Sequence, residues 1–119
     1  MKRFLVVFLG TAASMDAWKA LPESERNRRE QDGMKAWGDW VQKHQAAIVD
    51  GGSPLGKTKR ISAKGIGDVR NELAAWTVVE ADSHEAAAKL FEGHPHFSIF
   101  PGDAVEVMEC LPMPEGAGK

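Results

Sequence analysis

Residues 72–93 read ELAAWTVVEADSHEAAAKLFEG and combine a strand with the helix that follows it. The stretch 72–81 is dominated by Ala, Val and Trp, which is typical of a buried strand. Asp82 and Glu85 have the spacing of a capping box and Gly93 is a natural helix stop, so residues 83–92 predict a helix. The elements on either side of this strand–helix unit decide which fold it belongs to.

Upstream of this unit, the sequence predicts two strands and one long helix. Residues 3–9 form an apolar run that ends at a glycine, and residues 46–50 form a second, short strand. Between them, residues 11–21 are expected to be a connector. Residues 22–45 predict a helix, in which Pro22 suits the first position.

Two glycines interrupt the long predicted helix. Gly33 and Gly38 should each weaken it by roughly 1 kcal/mol relative to alanine where they are exposed. Gly38 is the one expected to allow close packing against another element.

The rest of the chain adds an irregular segment and a last strand. Residues 55–62 are expected to be an edge strand, residues 63–71 a loop that contains two glycines, and residues 103–111 the final strand. The order strand–helix–strand–strand–helix–strand predicts an α+β fold, a ferredoxin-like βαββαβ domain with a four-stranded antiparallel sheet. Residues 1–114 would form this single domain, and residues 115–119 a flexible C-terminal tail.

Composition narrows the functional classes. The 119 residues are 43% hydrophobic and 27% charged, as in an ordinary single domain. A net charge of −2 argues against a protein that mainly binds nucleic acid and against a polybasic membrane anchor. The apolar run at residues 4–9 is too short for a signal peptide or a membrane span. With Cys110 as its single cysteine, the chain is expected in the cytoplasm.

Both faces of the last predicted strand are largely apolar. Val105 and Val107 point to one face, and Ala104 and Met108 to the other. Two helices cover only one face of a four-stranded sheet, so the second face needs another cover. The simplest cover is the same face of a second copy, which predicts a homodimer.

Four short motifs resemble those of the YCII-related (DGPF-type) family. They are Asp50-Gly-Gly-Ser-Pro-Leu-Gly56, Val79-Glu-Ala-Asp-Ser83, Gly93-His-Pro-His96 and Val105-Glu-Val-Met-Glu-Cys-Leu-Pro-Met-Pro114. The resemblance covers nearly the whole chain and implies a dimeric α/β barrel, in which two ferredoxin-like units join sheet to sheet and each has a pocket. Some members are proposed to be enzymes because a helix histidine lies near an aspartate. This sequence has Met34 at or near that position, so we do not carry the His–Asp chemistry over.

His94 and His96 are the leading candidates for chemistry. Histidines two residues apart in an extended loop can point to the same side, and imidazole titrates near neutral pH. Three interpretations stay open: an acid–base or substrate-contacting pair at a pocket edge, two metal ligands, or part of a loop that ends the preceding helix. No third ligand accompanies them, so neither a metal nor another cofactor is expected. If the loop borders the pocket, His96→Ala should change the stability by less than roughly 1 kcal/mol, as expected of a surface site.

Four more residues are candidates for the same pocket: Trp37, Trp40, Met34 and Asp50. Tryptophans at helical spacing are more often core than a ligand wall, and an aspartate before glycine is more often part of a turn than the partner of a histidine. Both interpretations stay open for each residue. A basic cluster follows at Lys57, Lys59, Arg60 and Lys64, which most simply indicates a solvated edge that resists aggregation.

The sequence therefore favours a protein that binds or transforms a small molecule in a pocket of each subunit. A non-catalytic binding domain and a purely structural dimerisation module are the alternatives. An enzyme should place a histidine of shifted pKa inside a cleft, a binding domain should have a cleft without coupled titrating groups, and a structural module should have a filled interior.

Overall fold

A computed structural model describes residues 1–114. The tail expected at residues 115–119 lies outside the described residues. The elements are, in chain order, β1 (Lys2–Leu9), α1 (Ala12–Lys19), α2 (Glu23–Lys43), β2 (Ile48–Pro54), β3 (Thr58–Ser62), β4 (Gly65–Val69), β5 (Leu73–Ala81), α3 (His84–Lys89), α4 (Pro95–Ser98) and β6 (Ala104–Glu109).

Four of the strands form one sheet in the order β2-β5-β1-β6, and every neighbouring pair is antiparallel. The first strand is therefore central, between the strand that precedes α3 and the last strand. This order, with a helix after the first strand and another after the third strand of the sheet, is the ferredoxin-like topology. The fold class predicted from the sequence is confirmed.

The core lies between this sheet and the helices. Phe4, Val6 and Phe8 alternate along β1 and are almost completely buried. They meet Ala87 of α3 and Phe91 just beyond it, and the two tryptophans of α2 pack against the same cluster. Alternate residues of a strand share one face, so the helices cover one face of the sheet.

The other face of the sheet is uncovered within residues 1–114. Leu5 stands opposite both Val78 and Met108 on this face, and Val7 stands opposite Trp76. The shortest extent of the molecule is 19 Å, which is the thickness of one helix layer on one sheet. We call this surface the open sheet face.

The segment between β2 and β5 differs from the prediction. Residues 65–69 form β4 rather than a loop, and β3 pairs with β4 in a separate two-stranded sheet rather than at the edge of the main one. Gly65 has a positive φ of 113°, a conformation that glycine adopts readily and that suits a tight turn. The glycines of this segment are typical of a loop, which explains the prediction. In the structure Gly65 supplies the conformation needed at the turn, and residues 65–69 pair with β3.

The ends of the helices also differ in detail. The side chain of Thr11 caps α1 by accepting the N–H of Ser14, and the side chain of Ser83, rather than Asp82, caps α3. The segment predicted to be a connector thus contains α1. Residues 95–98 form the short helix α4 inside the segment predicted to be a loop.

The two glycines of α2 have unequal surroundings. A methyl group on Gly33 would lie 2.5 Å from the ring of Phe100, whereas one on Gly38 would have no atom within 4 Å. The expectation that Gly38 allows close packing is therefore wrong. Gly33, which is buried, has that role because α2 meets the Phe100 ring there.

Alanine replacements of these two glycines should have opposite effects. Gly38→Ala should raise the free energy of unfolding by up to roughly 1 kcal/mol, because it adds helix propensity in open space. Gly33→Ala should lower it by about 1–3 kcal/mol, because the new methyl group displaces the Phe100 ring. Urea unfolding of the three proteins measures both changes, and equal effects at the two sites would contradict this packing.

Candidate functional site

The two candidate histidines lie in an aromatic cluster under the helices. His94 is completely buried and His96 is only 7% exposed. The rings of Trp37, Trp40 and Phe8 surround His94 at centroid distances of 4.5, 4.7 and 5.1 Å. The expectation that His96 lies at a surface site is wrong, because the segment folds back as α4 and carries both histidine rings inward.

His94 is bound through one ring nitrogen only. Its Nδ1 accepts the backbone N–H of His96 at 3.0 Å and so caps α4. The neutral ring therefore carries its proton on Nε2, which is buried without a hydrogen-bond partner among residues 1–114. The Trp37 ring is perpendicular to that of His94, at an interplanar angle of 90°. An edge-to-face arrangement of this kind is favourable for aromatic pairs.

Burial lowers the pKa of His94 from 6.5 to about 4, with smaller contributions from the neighbouring His96 and His44. The ring is therefore neutral at neutral pH. An effective general acid or base has a pKa near the working pH and reaches its substrate, and His94 meets neither condition.

His96 links the ends of two strands. Its Nε2–H donates to the backbone carbonyl of Leu9, the last residue of β1, at 2.7 Å. A side chain at Gly102 would overlap the His96 ring, so the loop before β6 packs directly on it. Burial lowers the pKa of His96, and the Leu9 carbonyl and the Asp103 carboxylate partly oppose that effect.

Asp103 holds the start of α1 next to this histidine. Its carboxylate accepts the backbone N–H of Thr11 at 2.6 Å and the hydroxyl of Ser14 at 2.7 Å. These two bonds keep the pKa of Asp103 below its ordinary value. The His96–Asp103 region therefore joins β1, α1 and β6, and this arrangement suits structural support.

The other two candidates are exposed. Met34 is 66% exposed on α2. The Asp50 carboxylate accepts the N–H of Gly52 at 2.9 Å, which is turn chemistry, and its backbone carbonyl accepts the Thr77 hydroxyl at 2.7 Å. The structure thus brings together four of the six candidates, the two histidines and the two tryptophans, and leaves Met34 and Asp50 outside their cluster.

A cavity of about 990 Å³ lies at another place, where the β3–β4 hairpin leaves the main sheet. Its walls come from the start of α1 and from residues 55–59 and 68–74, which form the base of the hairpin. The apolar side chains on its walls are those of Met15, Leu55, Val69 and Leu73, and the cationic ones are those of Lys57, Lys59 and Arg70. None of the six candidate residues lines this cavity.

The charges around the cavity are only partly paired. Lys59 forms an ion pair with Asp68 across the hairpin. Within the described part of the chain, Lys57 and Arg70 have no ion-pair partner, and neither has Glu72, which also lines the cavity. The unpaired charges on its walls, two cations and one carboxylate, sum to +1. A net positive charge beside apolar side chains suits a small organic molecule that carries a negative charge.

Sequence reasoning missed this cavity because its walls come from segments far apart in the chain. The basic cluster at residues 57–64 was the available signal. Two of its residues, Lys57 and Lys59, line the cavity because β4 pairs with β3 and turns the chain back toward the sheet.

Residues 1–114 contain no group of three or more His, Cys, Asp or Glu side chains that could hold a metal ion. No helix in that range has both the length and the apolar character needed to cross a membrane.

Comparison with known proteins relates the chain by its fold. No protein-family model and no curated protein matches its sequence. Its structure is similar to that of 5-chloro-2-hydroxyhydroquinone dehydrochlorinase (TftG) from Burkholderia phenoliruptrix AC1100, solved in complex with 2,5-dihydroxybenzoquinone. The TM-score is 0.53 and the identity 18%, over 88% of this chain and 89% of that protein. At this identity the likeness shows the fold alone, and it agrees with the expected dimeric α/β barrel type of fold.

Acid should destabilise the protein through His94. The unfolded chain takes up a proton at this histidine near pH 6.5, but the folded protein only near pH 4. The titration of His94 therefore costs no stability above pH 6.5. As the pH is lowered from 6.5 to about 4, it reduces the free energy of unfolding by about 3 kcal/mol in total.

A matched variant isolates this contribution. His94→Asn keeps a side-chain oxygen that can accept the His96 N–H but has no group that titrates in this range. The variant should be less stable at neutral pH and should lose less further stability on acidification. Urea unfolding at several pH values measures this, and parallel pH curves for the two proteins would contradict the assignment.

Proposed function

We propose that this chain is the subunit of a homodimer that binds a small organic anion in the cavity at the base of the β3–β4 hairpin. The observation that carries the proposal is the cavity itself. Its volume of about 990 Å³ is ample for a small organic molecule, and its walls combine apolar side chains with a net positive charge, since unpaired Lys57 and Arg70 outnumber the carboxylate of Glu72. The cations would fix the charged group of the ligand, and the apolar wall would cover its body.

Binding, rather than acid–base catalysis by the histidines, is the form of this function that the geometry supports. The histidines with lowered pKa values, His94 and His96, pack inside the aromatic cluster and do not line the cavity. Catalysis on a ligand held there remains the alternative, and turnover of a bound ligand would favour it.

The homodimer is proposed from the open sheet face. Met108 is 41% exposed there, beside Leu5 and Val78, and an apolar sheet face of this kind is unfavourable in water. Membership of the YCII-related family, proposed from the four motifs, has the same consequence. We also propose a cytoplasmic location, in keeping with Cys110 as a free thiol.

The cavity can be tested with 2,5-dihydroxybenzoquinone, a flat and acidic molecule that is bound in the TftG structure. Titration calorimetry should detect its binding to the wild-type protein. Arg70→Gln should weaken binding about 10-fold or more, because it removes a charge-assisted contact. Lys89→Gln, on the exposed side of α3 away from the cavity, is the control and should leave the affinity unchanged. No binding by the wild type, or an equal loss in both variants, would count against this site.

The homodimer can be tested with two methionine variants. Light scattering at micromolar concentration should give about twice the 13.0 kDa mass of one chain. Met108→Glu places a charge on the open sheet face and should shift the protein toward monomer, whereas Met34→Glu on α2 should not. A wild-type protein of monomer mass would refute the homodimer.

A further inference from the structure

The β3–β4 hairpin forms a sheet of its own, separate from the main one. A two-stranded hairpin on its own is marginally stable in water and generally needs packing against a further surface. β4 also contains Gly65 and Gly67, which favour strands poorly. Within residues 1–114, the part of the hairpin beyond the cavity has no such cover.

The hairpin exposes its largest apolar side chains. Ile61 and Ile66 stand directly opposite each other and are 71% and 74% exposed. Cross-strand partners lie on the same face of a hairpin, so the two side chains form one apolar patch. A patch of this kind indicates a surface that another molecule covers.

Charge is unevenly distributed between the hairpin and the rest of the chain. Residues 57–70 carry five Lys and Arg residues and one Asp, a net charge of +4, while the whole chain has a net charge of −2. The remaining residues therefore sum to −6. A partner that is anionic as a whole, such as a nucleic acid, would be attracted by the hairpin but repelled by the rest of the protein.

A second copy of this chain offers the complementary surface. Glu106 of β6 stands opposite Val7, so it lies at the margin of the open sheet face, where it is exposed and has no ion pair within residues 1–114. Met108, on the same face of the same edge strand, is partly exposed and apolar. The β6 margin therefore combines a carboxylate with an apolar side chain. The hairpin combines cations with isoleucines, so the two surfaces are complementary in both charge and apolar character.

We propose that the β3–β4 hairpin is an arm that docks on the β6 margin of the open sheet face of a second copy. Ile61 and Ile66 pack on the partner's Met108, and the side chain of Lys64, in the turn at the tip of the hairpin, approaches the partner's Glu106. In a two-fold dimer each chain gives one arm and receives one. This inference rests on the proposed homodimer and assigns a part of its interface.

Sedimentation equilibrium of the full chain tests the arm. The combined Ile61→Ser and Ile66→Ser variant should dimerise about 10-fold more weakly or worse, because two buried apolar side chains are lost. Lys64→Glu and Glu106→Lys should each weaken the dimer. Their combination in one chain should restore much of the loss, because the reversed charges attract again. Arg28→Glu on α2 serves as the charge control, and circular dichroism checks that each variant is folded.

The outcomes separate the two proposals. A wild-type protein that stays monomeric refutes the homodimer and the arm together. A wild-type dimer whose affinity is unchanged by the isoleucine and charge variants refutes the arm and leaves the homodimer standing. Loss of dimer in both single charge variants with recovery in the combined variant supports the arm, since a general loss of folding would not recover.

Discussion

The ring of Phe8 lies at the point where the central strand meets the helices. Its centroid is 5.0 Å from that of Trp37 and 5.3 Å from that of His96. The strand that carries it pairs with β5 on one side and β6 on the other. One buried side chain therefore connects α2 and α4 to the middle of the sheet. The Phe8 ring is tilted by 42° to that of Trp37 and meets that of His96 edge-on, at 70°. Because aromatic pairs favour particular geometries, the contact with Trp37 restricts where α2 can cross the sheet.

This packing explains why two imidazoles can stand in an apolar core. Removal from water penalises the charged form, so His94 and His96 persist as neutral, flat, partly polar rings. Each uses one nitrogen for a backbone group: His94 caps α4, and His96 holds the carbonyl of Leu9. The His-Pro-His motif thus ties the segment before β6 to the end of β1. A pair of histidines close in sequence can indicate structure as easily as chemistry.

The sequence predicts those parts of the fold that depend on local pattern. The apolar runs at residues 3–9 and 72–81, and the helix signals around Pro22 and Gly93, each lie within one element, so the ferredoxin-like order follows from them. The burial of His94 and the contact between Gly33 and Phe100 join segments some sixty residues apart, and no local pattern encodes them. β4 was missed because its glycines favour a loop, whereas pairing with β3 decides its conformation.

The cavity was hidden from sequence reasoning for the same reason, since it exists only where the hairpin leaves the sheet. The same hairpin contributes to both proposed binding sites. The base of the hairpin, at residues 55–59 and 68–74, lines the cavity, and its tip carries the isoleucine patch. An anion held between Lys57 and Arg70 would draw the two strands of the hairpin base together, and a partner that covers the tip would restrict the same hairpin. When two binding events order the same hairpin, each lowers the entropy cost of the other. The ligand and the second copy would therefore bind cooperatively, and each would raise the affinity for the other by the same factor.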